Sequence, residues 1–477
     1  MSPTLRTTVP SVPPAPSPSL PLTRTGFAPR EAVSFAAVEL LIGVIYSILS
    51  VLDVASRIIS LLPWVPGALR GAVSPARIET RKRVVIIGGS AGGLTALDEL
   101  RGDPSLDITL ISDRGFWEFT PGVLRCYVKP THLLSITCPL HVPGGRLVVG
   151  RVTSVEPGEV VVDTGEGGVG GLQRVPFDAC ILATGSSYAG GIKPQRERSI
   201  QERLATMERE HARLAAARSV IVVGGGLVGV ELAAEIAAGF KEKDQKSIRL
   251  VDRSKEVVKE MPPRARNLIA KWLTSHGVEL LLSKSIEKIG DKEVVLETGE
   301  VLTADIVYRC LGAPPNSAPL TASSPASLDM RGAVLVDESL RVEGWENLFA
   351  VGDCMVQPSQ PEMKSGWIAE QNAIVAAANV RLLLQNKPLV RYPDAVAGPN
   401  AKTSKPICVS LGRHHGVFAL NWLVIGGPVG GELAAAAKWM IEWTQLLRAR
   451  GSATGAGFYR VMEPCVRWAS RHLLRET

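Results

Sequence analysis

Cysteine is scarce and poorly placed for chemistry. The 477-residue chain has seven, an odd number, at positions 126, 138, 180, 310, 354, 408 and 465. No two stand in a CxxC or CxxxxC arrangement. That argues against a disulfide framework and against a redox dithiol. Histidine is equally sparse, and His141, His414 and His415 show none of the spacing of a metal site. No metal is expected. Acidic residues are missing altogether from residues 1–30, which are rich in Ser, Thr and Pro with three Arg. Such a segment buries too little surface to fold alone, and reads as a disordered or targeting tail. A single-sign charge stripe is also lacking, although the net charge is +7. No nucleic-acid partner is therefore expected. Basic ends beside apolar segments fit either an anionic membrane surface or ordinary solvated charge.

What is present is a globular chain large enough for two or three cores. The apolar fraction is 45%, charged residues are 21%, and the mean hydropathy is +0.15. Residues 32–62 are apolar and helical in pattern, long enough for a membrane span. Glu39, Asp53 and Arg57 interrupt them. A charge at the bilayer centre costs about 2.5–3.5 kcal/mol on insertion scales. A helix lying in or against a membrane is the preferred reading, with a tilted span or a helix packed on the protein as alternatives.

Two segments then share one grammar: a β-branched strand, a glycine cluster and a helix. In the first, RKRVVIIGGSAGGLTALDEL, a strand delivers Gly88, Ser90 and Gly93. Gly88 makes the tight turn, Ser90 replaces the usual middle glycine, and Gly93 lets helix and strand pack closely. A pyrophosphate would sit on the helix N-terminus, where free N–H groups favour an anion. Asp113, twenty residues on, ends the next strand and suits ribose hydroxyls. In the second, SVIVVGGGLVGVELAAEI, Gly224, Gly226 and Gly229 complete the pattern, and Asp252 ends the following strand. A carboxylate there suits a ribose 2′-hydroxyl and repels a 2′-phosphate, so NADH is favoured over NADPH, although Arg253 is adjacent. Two cradles imply two dinucleotides.

Three further segments carry a family resemblance. CILATG at 180–185, VYRCLGAPPN at 307–316 and NLFAVGDC at 347–354 join the cradles over roughly 84–380. With them the chain resembles the two-dinucleotide-binding flavoproteins of the pyridine nucleotide-disulfide oxidoreductase superfamily. Within these it is similar to type II NADH dehydrogenases and to apoptosis-inducing-factor-like and ferroptosis-suppressor-type quinone oxidoreductases. The resemblance implies an α/β fold of two Rossmann-like domains, an FAD domain split by an inserted NAD domain, plus a smaller C-terminal α+β section. The implied limits are 81–214 and 331–385 for FAD, 215–330 for NAD(P)H, and 386–477 for the last section, after a tail at 1–30 and the apolar segment at 31–80. It implies FAD and NADH (or NADPH) as cofactors, and a quinone as acceptor. Thr184, Gly185, Gly312, Gly352 and Asp353 then join the cofactor-binding set, Asp353 on the ribityl and phosphate side of FAD. Glu231 would face the flavin and nicotinamide rings, and Lys364 would place a cation near the flavin. Trp367 and Gln371 follow on the same helix. In FWEFTPGVLR at 116–125, Thr120, Pro121 and Arg125 are the expected contacts beneath the ring.

Cys180, Cys310 and Cys354 end core strands and read as small apolar fillers. Residues 196–217 are charged and helical. Residues 386–477 should hold a few strands, then two amphipathic helical stretches at 438–450 and 458–475. The first carries Trp439, Trp443, Leu446 and Leu447, and the pattern fits a membrane interface, a packed core or a homodimer. The resemblance implies a membrane-associated enzyme, and the tail at 1–30 fits an organellar transit peptide, for a mitochondrion before a plastid. A redox-sensing protein with slow turnover and a sulfide or soluble-acceptor reductase remain alternatives.

Overall fold

A computed structural model describes residues 81–452, apart from 166–170, 189, 241–243, 322, 394–405 and 421. The tail, the apolar segment at 31–80 and the stretch at 458–475 lie outside the described residues. The first β-branched run, Lys82–Ile87, is the middle of a five-stranded parallel sheet. Its inner four residues are fully buried, as expected for a strand covered on both faces. Leu106–Ser112 and Arg146–Val149 lie to one side, and Ala179–Leu182 and Leu348–Ala350 to the other. The last strand is thus far from the others in sequence and joined to them by hydrogen bonds.

The second run, Ser219–Val223, is central in a four-stranded parallel sheet with Ser247–Val251, Val278–Leu281 and Ile306–Arg309. Each parallel sheet carries an antiparallel three-stranded appendage, Arg151–Pro176 and Ile286–Thr303. A third unit pairs Ile407–Leu411, His415–Leu420 and Leu423–Ile425 antiparallel.

Six helices frame the site. They are α1 (Ala91–Leu100), α2 (Ile200–Ala216), α3 (Leu227–Gly239), α4 (Pro263–Ser275), α5 (Gly366–Leu384) and α6 (Gly427–Ala449). Helix α2 is the charged helix read at 196–217, and Ser199 caps it by accepting from Glu202 N. It is pinned by Arg203, which is fully buried and donates to Glu118 at 2.7 and 3.2 Å. Helix α6 begins eleven residues before the expected 438. The run GPVGGELAAAA reads as a turn, yet its proline sits at the second helical position and its alanines are strong helix formers.

The described part of α6 packs inward. Arg448 is buried and bonds Asp98 at 2.6 Å, Thr95 at 2.9 Å and Glu370 at 3.3 Å. One side chain therefore fastens α6 to both α1 and α5. Trp439 lies between the guanidinium groups of Arg125 and Arg413, at 5.7 and 5.3 Å from its ring centre. Trp439 is partly buried and contacts the protein through these two cations. No helix among the described residues is long and apolar enough to cross a membrane.

Candidate active site

The two cradles have the same build. Gly88 and Gly224 each have φ of +113°, a region that L side chains rarely adopt. A Cβ on Gly88 would meet Ala183 O at 2.2 Å, and one on Gly224 would meet Cys310 O at 2.6 Å. The third glycines are tighter: a Cβ on Gly93 would lie 1.7 Å from Gly88 O, and one on Gly229 1.9 Å from Gly224 O. The middle positions differ. Gly226 would meet nothing within 4 Å, so the space beside it is bounded by no protein atom. Ser90 has φ −113° and ψ −157°, extended geometry that any side chain adopts. This explains why serine serves there. Neither α1 nor α3 has an acidic residue in its first turn, so nothing on the helices competes with an incoming anion.

Both acids end their strands beside the cradles. Asp252 accepts from Gly225 N and Ser254 N, each at 2.6 Å, which fixes its carboxylate over the middle of the second cradle. Asp113 is half-exposed, with Arg114 at 3.7 Å. Asp353 follows Gly352, whose φ is +77°. Its Oδ2 accepts from Ser186 Oγ at 2.7 Å and from Lys193 Nζ at 3.2 Å. Ser186 and Lys193 were not found from sequence, because they lie 167 and 160 residues from Asp353.

Thr184 and Gly185 sit where the chain passes between the sheets. Thr184 Oγ1 donates to Asn316 O at 2.6 Å, Asn316 Nδ2 donates back to Thr184 O at 2.9 Å, and Asn316 N donates to Gly185 O at 2.9 Å. The two crossing segments are therefore tied to each other. The Thr184 hydroxyl is used in that tie. Gly185 and Gly312 have open space at their Cβ positions.

Glu231 is the fifth residue of α3 and is buried. It accepts from Ser410 N at 2.8 Å and from Lys438 Nζ on α6. Glu235, one turn on, pairs with Arg125 at 3.0 Å, and Arg125 also donates to Gly412 O. Arg125 thus joins the first half of the chain to α3 and to the third sheet. Lys364 lies just before α5. Its ammonium donates to the carbonyls of Gly352 and Met355, and so holds the turn that carries Asp353. The cation beside Glu231 is Lys438, which sequence reasoning passed over. Gln371 is buried on α5, Trp367 is partly buried there, and Pro121 lines the same small cavity as Glu231.

All six described cysteines are free, and five are buried. Loss of solvent pushes the Cys138 thiol up to about 11, and those of Cys310 and Cys408 up to about 12. Burial also raises Cys126, Cys180 and Cys354. Such thiols are poor nucleophiles, which agrees with their reading as filler. No group of three metal-ligating side chains occurs among the described residues.

Two glycine cradles, an acid at the end of the strand beside each, and a split parallel sheet are the observations that identify the molecule. Residues 82–376 match the family of pyridine nucleotide-disulphide oxidoreductases. This chain belongs to that family. It is an FAD-dependent oxidoreductase of pyridine nucleotides. Ferroptosis suppressor protein 1 of Taeniopygia guttata is 29% identical over 356 residues, covering 72% of this chain and 90% of that protein. The sulfide:quinone oxidoreductase of Aquifex aeolicus superposes with a TM-score of 0.65 at 19% identity, over 80% of this chain and 95% of that one. NDH2 of Plasmodium falciparum, solved in complex with NADH, gives 0.60 at 16% identity, over 81% and 99%. At such identities the two structures speak for the fold. The residues present fit FAD and a pyridine nucleotide: both cradles close on glycines that admit no Cβ, no protein atom lies within 4 Å of a Cβ on Gly226, and an acid ends the strand beside each cradle.

Proposed function

We propose that this oxidoreductase takes electrons from NADH and delivers them to a quinone. The Lys438–Glu231 pair is the observation that carries the reading. It puts a positive and a negative group, both buried, at the head of the helix that leaves the second cradle. The chemistry supplied by bound FAD is two-electron exchange between a nicotinamide and an acceptor.

The chain's own residues supply position and charge. Gly88, Ser90 and Gly93 with Asp113, Gly352 and Asp353 hold the FAD, and Gly224, Gly226 and Gly229 with Asp252 hold the NADH. Asp252 favours a free 2′-hydroxyl. Lys438 offers a cation where negative charge develops, and Glu231 holds that ammonium in place. Lys364 acts through the Asp353 turn, as a positioning residue. Quinone is favoured over a disulfide because no two cysteines among the described residues are paired and their thiols stay protonated.

The net charge of +7 and the apolar run at 32–62 support work at a membrane surface, in an organelle such as the mitochondrion. Flotation with anionic vesicles checks that part, and a chain lacking residues 31–80 should stay behind. For the chemistry, purified protein should show a flavin spectrum that NADH bleaches and a short-chain quinone restores. Bleaching without restoration sinks the quinone reading. Absence of flavin would contradict the family assignment itself.

A further inference from the structure

Three acid–base pairs close around one small cavity beside α3. They are Lys438–Glu231, Arg125–Glu235 at 3.0 Å and His132–Glu442 at 3.5 Å. The acids come from two facing helices, at i and i+4 on α3 and, with Lys438, at i and i+4 on α6. Arg125 comes from the turn Thr120–Tyr127, and His132 from the turn Pro130–His132. The place is made to size, because a Cβ on Gly122 would meet Glu442 Oε2 at 2.9 Å.

The pairs are not equivalent. The first two are well made, whereas His132 Nε2 is buried and has no hydrogen-bond partner among the described residues. Arg125 Nε is left in the same condition on the same cavity. A buried ring nitrogen without a partner costs free energy that a purely structural histidine would avoid. The other nitrogen is held, at 3.0 Å from Ser135 Oγ. The His132 and Glu442 side chains keep 14% and 16% of their surface in solvent, against 10% and 9% for Lys438 and Glu231. One end of the cluster is therefore wetter than the other.

We propose that this cavity admits the proton consumed when the acceptor is reduced, with His132 and Glu442 as its entrance. The inference rests on the quinone reading above. In that reaction the nicotinamide C4–H bond breaks, yielding two electrons and one proton. Two O–H bonds form on the quinone, so the second proton comes from water. Glu442 takes it from solvent and hands it to His132 Nε2, and the carboxylates across the cavity, Glu235 and Glu231, carry it to the Lys438 end. The groups facing His132 are Glu442 from α6, Ser135 from its own turn, and Arg125, Glu235, Glu231 and Lys438 across the cavity.

The test compares wild-type enzyme with His132→Gln and Glu442→Gln, each holding flavin. Bleaching by NADH should proceed at the wild-type rate in both. Quinone turnover at alkaline pH should fall about tenfold, a modest share of what positioned proton transfer supplies. Added imidazole should restore it in His132→Gln. The ring-carbon NMR signal of His132 should move between oxidised and NADH-reduced wild type, and stay still in Glu442→Gln. If His132→Gln fails to fold, Glu442→Gln, which keeps the side-chain size, decides alone. Unchanged turnover across pH in the folded variants overturns the proposal. Wild-type enzyme that never passes electrons to quinone overturns the parent reading instead, before either variant is made.

Discussion

Lys438 donates to Glu231 across 207 residues of sequence, from the C-terminal helix to the helix that leaves the second cradle. Both side chains are buried, and the acid also accepts from Ser410 N. Removing the cation leaves a buried carboxylate without its charge partner. Lys438→Met should retain flavin and lower NADH oxidation about a hundredfold, the scale for losing one preorganised electrostatic contact. Steady-state kinetics beside a flavin spectrum measures both. Lys364→Met should instead loosen the Asp353 turn and weaken flavin retention. Equal kinetic defects in the two variants would show that this division of labour is wrong.

The second cradle separates a packing glycine from a ligand glycine. Gly229→Val drives side-chain atoms into Gly224 O, and the protein should fail to fold. A Cβ on Gly226 meets no protein atom within 4 Å, so Gly226→Val should fold normally. Its added methyls would occupy the path of the pyrophosphate, and NADH oxidation should drop about a hundredfold through misplacement alone. Normal NADH kinetics in folded Gly226→Val would remove the cradle from the binding site.

Arg203 is fully buried against Glu118, with Glu197 at 3.6 Å. Arg203→Met should destabilise the enzyme by about 3–5 kcal/mol, because Glu118 is left charged and unpaired. A denaturant midpoint measures it. Adding Glu118→Gln should restore part of the loss.

The cysteine thiols set an alkaline limit. Each buried thiol has a folded-state value above its ordinary 9.0, up to about 12 for Cys310 and Cys408. A raised value contributes stability that is present below 9.0 and is lost as pH rises towards 12. Thermal midpoints should therefore fall steadily from pH 9 upward. Iodoacetamide should label these positions only after unfolding, and rapid labelling of native Cys310 at neutral pH would contradict this account.

The cradles were legible because their requirement is local. A turn that needs φ of +113° names its own residue, and the same carbonyl closure recurs at Gly93 and Gly229. Parallel strands were legible for a similar reason, since burial on both faces leaves an unbroken β-branched run. The cation was not. The family resemblance singled out Lys364 for the flavin, and its ammonium bonds the two backbone carbonyls on either side of Asp353. Lys438 is the first residue of the stretch read as helical at 438–450, and its partner Glu231 lies 207 residues away, so nothing local marked it. Long-range pairs such as Ser186–Asp353 and Arg203–Glu118 are decided by chain crossing, which no window of sequence records.

The tie between Thr184 and Asn316 bears on how the molecule can bend. One connecting strand would let the two sheets swivel and slide freely. Here two strands run side by side, and Ser187 adds bonds to Pro314 and Asn316 next to those of Thr184. A doubled, cross-stitched joint behaves as a door hinge does: it keeps one axis of rotation and suppresses twist. Relative movement of the two sheets is thus restrained at two paired segments instead of one.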